Sequence, residues 1–324
     1  MITDINELIK RIDQKLDEID QENIDFIESK ELMNEVELKM HDLKDNIETI
    51  YNQYLSELNN LVGLAEVKIE AKKLINYLIF LKKTKDKINL SNMNLNMIFR
   101  GNPGTGKTTV AKIFANILCQ LGFLKTNKII ETTPRDFIAG YIGQTAIKAR
   151  KTIDSASGGV IFIDEAYTFA QSSNGSRDSF VNEAITEIIK EMETLNTVFI
   201  FSGYSNKMDD FIKLNPGIKS RIGYDISFKD YTKDELLLMF KNKLNKSGMK
   251  LCDNAYSVLS DKIEENMKKK DFGNGRMIDN LFNEIIREHA TYNIFETNTK
   301  KLLEINEETI KKIKVKEERG MCFE

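Results

Sequence analysis

The 324-residue chain carries only three cysteines, two histidines and three prolines, and no tryptophan. Cys119, Cys252 and Cys322 stand far apart and odd in number, so no disulfide framework is written here and reduced thiols are expected. His41 and His289, with no cysteine cluster beside them, do not spell a zinc site. No apolar run approaches the roughly 20 residues needed to span a bilayer, and the opening "MITDINELIKRIDQK" lacks the continuous apolar core of a secretion signal. These absences predict a cytoplasmic protein with no membrane partner. The net charge of -3 gives no general attraction to nucleic acid, and the basic runs at 268–270 and 311–316 read as solvated helix faces.

Glycine and proline are missing from the first 62 residues, which favours uninterrupted helix. An apolar side chain recurs every seven positions, at Ile5, Ile12, Ile19, Phe26, Met33, Met40, Ile47, Tyr54 and Leu61. Its companion stripe is Ile2, Ile9 and Leu16 at first, and Val36, Leu43 and Ile50 later. The stripe changes sides between about residues 20 and 32, so both a coiled coil with a register shift and a helical hairpin fit. Residues 1–60 therefore read as a helical arm, used for self-association or packed back on its own body.

Composition changes at "LVGLAEVK". From residue 61 to about 230, β-rich runs alternate with amphipathic segments: "NMIFR" (96–100), "KIIETT" (128–133), "GVIFID" (159–164), "TVFIFSG" (197–203) and "YDISF" (224–228). The alternation predicts an α/β domain, a parallel sheet flanked by helices. After Tyr231 no further strand is expected. Three helical stretches with glycine stops predict a small helical domain over 231–313, followed by a tail at 314–324.

The first strand runs straight into "GNPGTGKTT", which satisfies G-x-x-x-x-G-K-[ST] through Gly101, Gly106, Lys107 and Thr108. The glycines let successive backbone N–H groups converge on phosphate oxygens, and the helix that follows adds the positive end of its dipole. Asn102, Pro103, Gly104, Thr105, Gly106 and Thr109 are thus candidate ATP contacts. Lys107 is expected to reach the β- and γ-phosphates and Thr108 to ligate Mg²⁺. "GVIFIDEAY" sets Asp164 and Glu165 at the carboxyl end of a buried strand, the edge at which open α/β sheets bind ligands. Asp164 is expected to hold Mg²⁺ through water, and Glu165 to polarise the water that attacks the γ-phosphate. A phosphate cradle beside an Asp-Glu pair points to hydrolysis of ATP to ADP and phosphate.

The order of these elements resembles an AAA+ ATPase. "LVGLAEVK", "GNPGTGKTTVAKIFANIL", "FIAGYIGQTAIKAR", "GGVIFIDEAY", "NPGIKSRIGYDISFKDYTKDEL" and "GNGRMIDN" together are similar to its CbbX/SpoVK group, which includes red-type Rubisco activases and stage V sporulation protein K. The resemblance spans about residues 60–313 and implies a P-loop NTPase fold with a C-terminal helical lid. It implies that Val62 and Gly63 line the adenine pocket with backbone groups. Arg221, in "SRI", matches the arginine finger, which would serve the next subunit's nucleotide and so implies a homo-oligomer, most often a hexameric ring. Arg276, in "GNGR", matches the second sensor, which feels the γ-phosphate. The first sensor stays unassigned, because the strand at 197–203 leads into Ser202, Gly203, Tyr204, Ser205 and Asn206 where many AAA+ proteins carry a polar residue, commonly asparagine.

The stretch "AGYIGQT" sets Tyr141 and Ile142 between Gly140 and Gly143. Before it, Thr133, Pro134 and Asp136 read as the cap and first turn of a short helix ending at Gly140. By resemblance, Tyr141 and Ile142 form the first pore loop, where an aromatic ring grips a threaded polypeptide by contact area without demanding a sequence. "QSSNGSRDSF" (171–180) would be the second pore loop. The leading expectation is a ring that remodels a protein partner. An ATP-gated scaffold that binds its partner through the N-terminal helices is the alternative, and the acidic balance counts against a nucleic-acid motor. Nothing in the sequence identifies the client.

Overall fold

The computed structural model describes residues 45–84, 94–141, 143–171, 178–194, 196–269 and 272–313. Residues 1–44 of the expected arm, Ile142, residues 172–177 of the expected second pore loop and the 314–324 tail lie outside the described residues.

Five strands form one sheet: β1 (Asn96–Gly101), β2 (Ile129–Thr132), β3 (Val160–Ile163), β4 (Val198–Gly203) and β5 (Ile222–Phe228). Their order is β2-β3-β4-β1-β5, and every pairing is parallel. All four residues of β3 and all six of β4 are buried, which is why both strands read as unbroken apolar runs. The pleat sends alternate side chains to opposite faces. Met97, Phe99, Val160 and Phe162 enter a core with the helices Ala65–Thr84 and Lys107–Gln120. Ile98, Ile161, Ile163 and Phe201 enter a second core with the helices Thr145–Asp154 and Asp178–Met192. Residues 45–60 are helical, and Ile50, Tyr54 and Leu58 pack into the first core.

Beyond β5, the helix Lys233–Ser247 opens on a capping box between Thr232 and Glu235 and closes on Gly248. The helices Asp253–Met267 and Asn274–Tyr292 follow. The strands do not stop at Tyr231 as expected: β6 (Lys250–Leu251) and β7 (Glu304–Ile305) form a second, two-residue parallel pair. Pairs this short carry no alternation that a sequence pattern could reveal.

The expected helix ending at Gly140 is also shorter. Thr133 N donates to Asp136 Oδ2 (2.7 Å), so the capping box exists, but only a 3₁₀ turn at Pro134–Asp136 follows. Its continuation is diverted: the Arg135 carbonyl accepts Lys148 Nζ (2.7 Å) and the Ala139 N–H donates to Thr145 Oγ1 (3.2 Å). Among the described residues, no helix is long and apolar enough to cross a membrane.

Candidate nucleotide site

Because all five strands run the same way, their carboxyl ends share one edge. The loop after β1 and Asp164 after β3 therefore flank the end of β4, which lies between those strands. β4 contributes Ser202, fully buried, whose Oγ donates to Asp164 Oδ1 at 2.9 Å. Glu165 N donates to the same oxygen at 3.0 Å, so the Asp164 carboxylate is held in one orientation.

The loop itself is tightly shaped. Gly104 has φ 75, and a Cβ there would come within 2.1 Å of the Gly273 carbonyl oxygen. Only glycine tolerates both the conformation and the approach. Gly106, also left-handed at φ 95, caps the helix Lys107–Gln120. Lys107 Nζ donates to the carbonyls of Gly101 (2.8 Å) and Asn102 (2.7 Å). Burial pushes its pKa down to about 8, against the favourable Asp164 carboxylate and with help from the Arg276 charge. A cation kept in a desolvated pocket gains most when an anion arrives.

A cavity of about 660 Å³ opens over the loop. Pro103, Gly104, Gly106, Lys107, Thr108 and Thr109 line it, as do Asp164 and Glu165. Val62 lies along the cavity and Gly63 sits between two lining residues, Val62 and Leu64. Asn102 turns to the other side, where its amide meets Asp230. Thr105 is fully buried. Thr108 and Asp164, both lining the cavity, offer the hard oxygen ligands that Mg²⁺ takes. Arg276 reaches the cavity from the helix Asn274–Tyr292.

Glu165 is exposed, with a left-handed backbone at φ 52, an uncommon conformation outside glycine. It lines the nucleotide-sized cavity and also a second one, of about 720 Å³, bounded by Thr133, Arg135, Ile138 and Gly140. Beside it, burial and the Glu165 carboxylate push the Tyr167 hydroxyl up to about 12. The Tyr167 ring lies 5.7 Å from that of Tyr204, with the Lys207 ammonium 4.7 Å and 5.0 Å from the two ring centres.

Two predicted residues lie away from this cavity. Arg221 Nη1 donates to Gly217 O (2.9 Å), and Nη2 pairs with Glu193 of the same chain. Its Nε is buried and has no hydrogen-bond partner among the described residues. Tyr141 is 74% exposed, and among the described residues nothing lies within 4 Å of where a Cβ on Gly140 or Gly143 would stand.

Sequence reasoning missed the groups behind the loop. Asp230, Tyr231 and Asn274 contact it directly, and Tyr167, Lys243 and Asp279 line the cavity. Met239, Lys243 and Lys246 recur at helical spacing on one face, a signal legible only once that face is known to meet the cavity.

The chain matches the family described as "ATPase family associated with various cellular activities (AAA)" over residues 97–229, and "AAA lid domain" over residues 232–319. The chloroplastic ribulose bisphosphate carboxylase/oxygenase activase of Cyanidioschyzon merolae is 37% identical over 268 residues, covering 81% of this chain and 90% of that protein. Stage V sporulation protein K of Bacillus subtilis is 34% identical over 247 residues, 74% of this chain and 76% of the relative. Among solved structures, a point mutant of Thermotoga maritima RuvB superposes with a TM-score of 0.51 at 22% identity, over 79% of this chain and 70% of that one. That last likeness is one of fold.

Proposed function

Because this chain belongs to the AAA+ ATPase family, in its CbbX/SpoVK group, we propose that it spends ATP on remodelling a protein partner, as an oligomeric ring whose Tyr141 loops grip the partner. It is an ATPase, and the cavity over residues 101–109 is where the nucleotide binds in this reading. Lys107 leaves the Gly101 and Asn102 carbonyls to meet the β- and γ-phosphates. Mg²⁺ on Thr108 and Asp164 would neutralise charge on those phosphates. Asp164, held by Ser202, keeps its carboxylate facing the cavity. Glu165 takes the proton of the attacking water, and Arg276 compensates charge on the γ-phosphate from the lid.

Arg221 acts on the neighbouring subunit's nucleotide. Its absence from the lining of its own cavity supports that role, and to play it the guanidinium would leave Gly217 O and Glu193 for the neighbour's phosphate. Val62 and Gly63 meet the base edge with backbone groups. The cytoplasm is the compartment this reading assigns.

The observation that carries the remodelling proposal is the contrast between Tyr141 and its stem. A ring left in water on an anchored stem keeps its whole contact area available to a partner. Here it stands clear of the body, while Lys148, Thr145 and Thr152 bind the segment 135–139 beneath it. The test is capture with Glu165→Gln in ATP. Stalled assemblies should retain a protein partner that Tyr141→Ala assemblies of equal size fail to retain. Retention undiminished by Tyr141→Ala would favour instead an ATP-gated scaffold that holds its partner elsewhere.

A further inference from the structure

A loop that turns its N–H groups toward a phosphate must turn its carbonyls the other way, and those carbonyls need donors. Around this loop the donors come from the lid and the link leading to it. Asn274 Nδ2 donates to Pro103 O (3.3 Å), Gly275 N to Gly104 O (3.0 Å) and the Tyr231 hydroxyl to Thr105 O (3.2 Å). Asp230 gathers the side chains: it accepts Asn102 Nδ2 at 2.9 Å and Asn274 Nδ2 at 2.8 Å. Asn274 Oδ1 in turn accepts Tyr231 N at 2.9 Å.

Asn274 is the hub. It is 1% exposed, and its backbone sits at φ 49, directly after Gly273 at φ 80. Asparagine is among the few residues that enter this region readily, and here the conformation brings a buried amide to Pro103, Asp230 and Tyr231 at once. The Gly101 and Asn102 carbonyls both accept the Lys107 ammonium, which must leave when phosphate binds, and Asn102 O also accepts Thr105 Oγ1 at 2.8 Å.

We propose that Asn274 is a positioning residue of the phosphate site. Its amide fixes the back of the loop and, through Asp230 and Asn102, makes nucleotide affinity depend on the lid being docked. Its task differs from that of Arg276, two residues on, whose side chain faces the cavity. Once Lys107 departs, the loop keeps its shape because Pro103, Gly104 and Thr105 retain their lid-side donors. This rests on the reading of residues 101–108 as the phosphate cradle.

The test is calorimetric binding of ATP and of ADP, with steady-state kinetics, on the full chain carrying Asn274→Gly, Asn274→Ala, Asp230→Asn or Lys107→Ala. Glycine accepts the left-handed backbone and removes only the amide; alanine adds a backbone penalty. Asn274→Gly should weaken ATP and ADP alike by about tenfold and raise KM to match, with kcat within about threefold, as expected for losing a buried hydrogen-bonding group. Affinity kept by Asn274→Gly and lost only in Asn274→Ala would overturn the proposal, since the position would then need only its backbone. So would a fall in kcat at unchanged KM. Should Asn274→Gly lose its cooperative thermal transition, hydrogen exchange on Asp230→Asn decides. Loss of protection confined to 102–108 and 273–278 supports the proposal; loss throughout the sheet overturns it. If Lys107→Ala binds ATP as tightly as the unmodified chain, the cradle reading itself is wrong and the proposal falls with it.

Discussion

Two loops in this molecule are rich in glycine, and they use it in opposite ways. At "GNPGTGK" the absence of a side chain permits contact: the lid backbone occupies the space where a Gly104 Cβ would go, and Thr105 is fully buried. At "AGYIG" none of the described residues approaches Gly140 or Gly143, and Tyr141 stands 74% exposed. A site for a triphosphate must be held still, because its donors stabilise charge only if they need not reorganise. If Tyr141 grips a polypeptide of varied sequence, as proposed above, that task gains from a side chain that stands clear of its support. Glu165, lining the cavities on both sides, lies between these two regimes.

The largest expected effect tests whether the fixed region is complete within one subunit. Arg221→Ala should cut turnover in assembled protein by about 10³–10⁵ while leaving ATP binding intact. Mixing it with Lys107→Ala subunits should restore part of the activity if the arginine serves a neighbour. Next, Glu165→Gln should lower kcat by about 10²–10⁴ at unchanged ATP affinity; near-normal turnover would remove Glu165 from the water-polarising role. The paired glycine substitutions address the comparison directly. Gly104→Ala combines a left-handed φ with a backbone clash and should cost about 1–3 kcal/mol or more, read as lost ATP affinity and a lower Tm. Gly140→Ala should stay within about 0.5 kcal/mol.

A smaller effect concerns pH. With its pKa lowered to about 8, Lys107 is half neutral at that pH in the empty protein, and a bound triphosphate restores its charge. ATP binding should therefore take up protons, and affinity should fall by up to about tenfold per pH unit above roughly pH 8. Calorimetry in buffers of different ionisation enthalpy measures that uptake, and Lys107→Ala should abolish it.

The site was legible where one residue type has one use. A strand, a glycine loop, a lysine and a strand-end acid pair are local signals, and the structure brings Lys107, Thr108, Asp164 and Glu165 to one cavity. Asp230 and Asn274 were illegible for the converse reason. Each is an ordinary polar residue whose meaning comes from contact with a loop more than 120 positions away. The sheet was readable from apolar runs, whereas β6 and β7 are two residues each and leave no pattern. The turn before Tyr141 was half legible: the capping box appears, but which carbonyl Lys148 would claim depends on the tertiary fold.

The strand order has a consequence for how this protein comes into being. Among the described residues β1, which launches the phosphate loop, pairs with β4 and β5, whose facing residues lie further along the chain, Met97 opposite Ile200 and Tyr224. A nascent chain on the ribosome therefore carries the complete glycine-lysine motif long before it has a sheet in which to seat it. The folded site draws on residues as far along the chain as Phe228 and the lid beyond it, so its complete form belongs to the finished domain rather than to the motif alone.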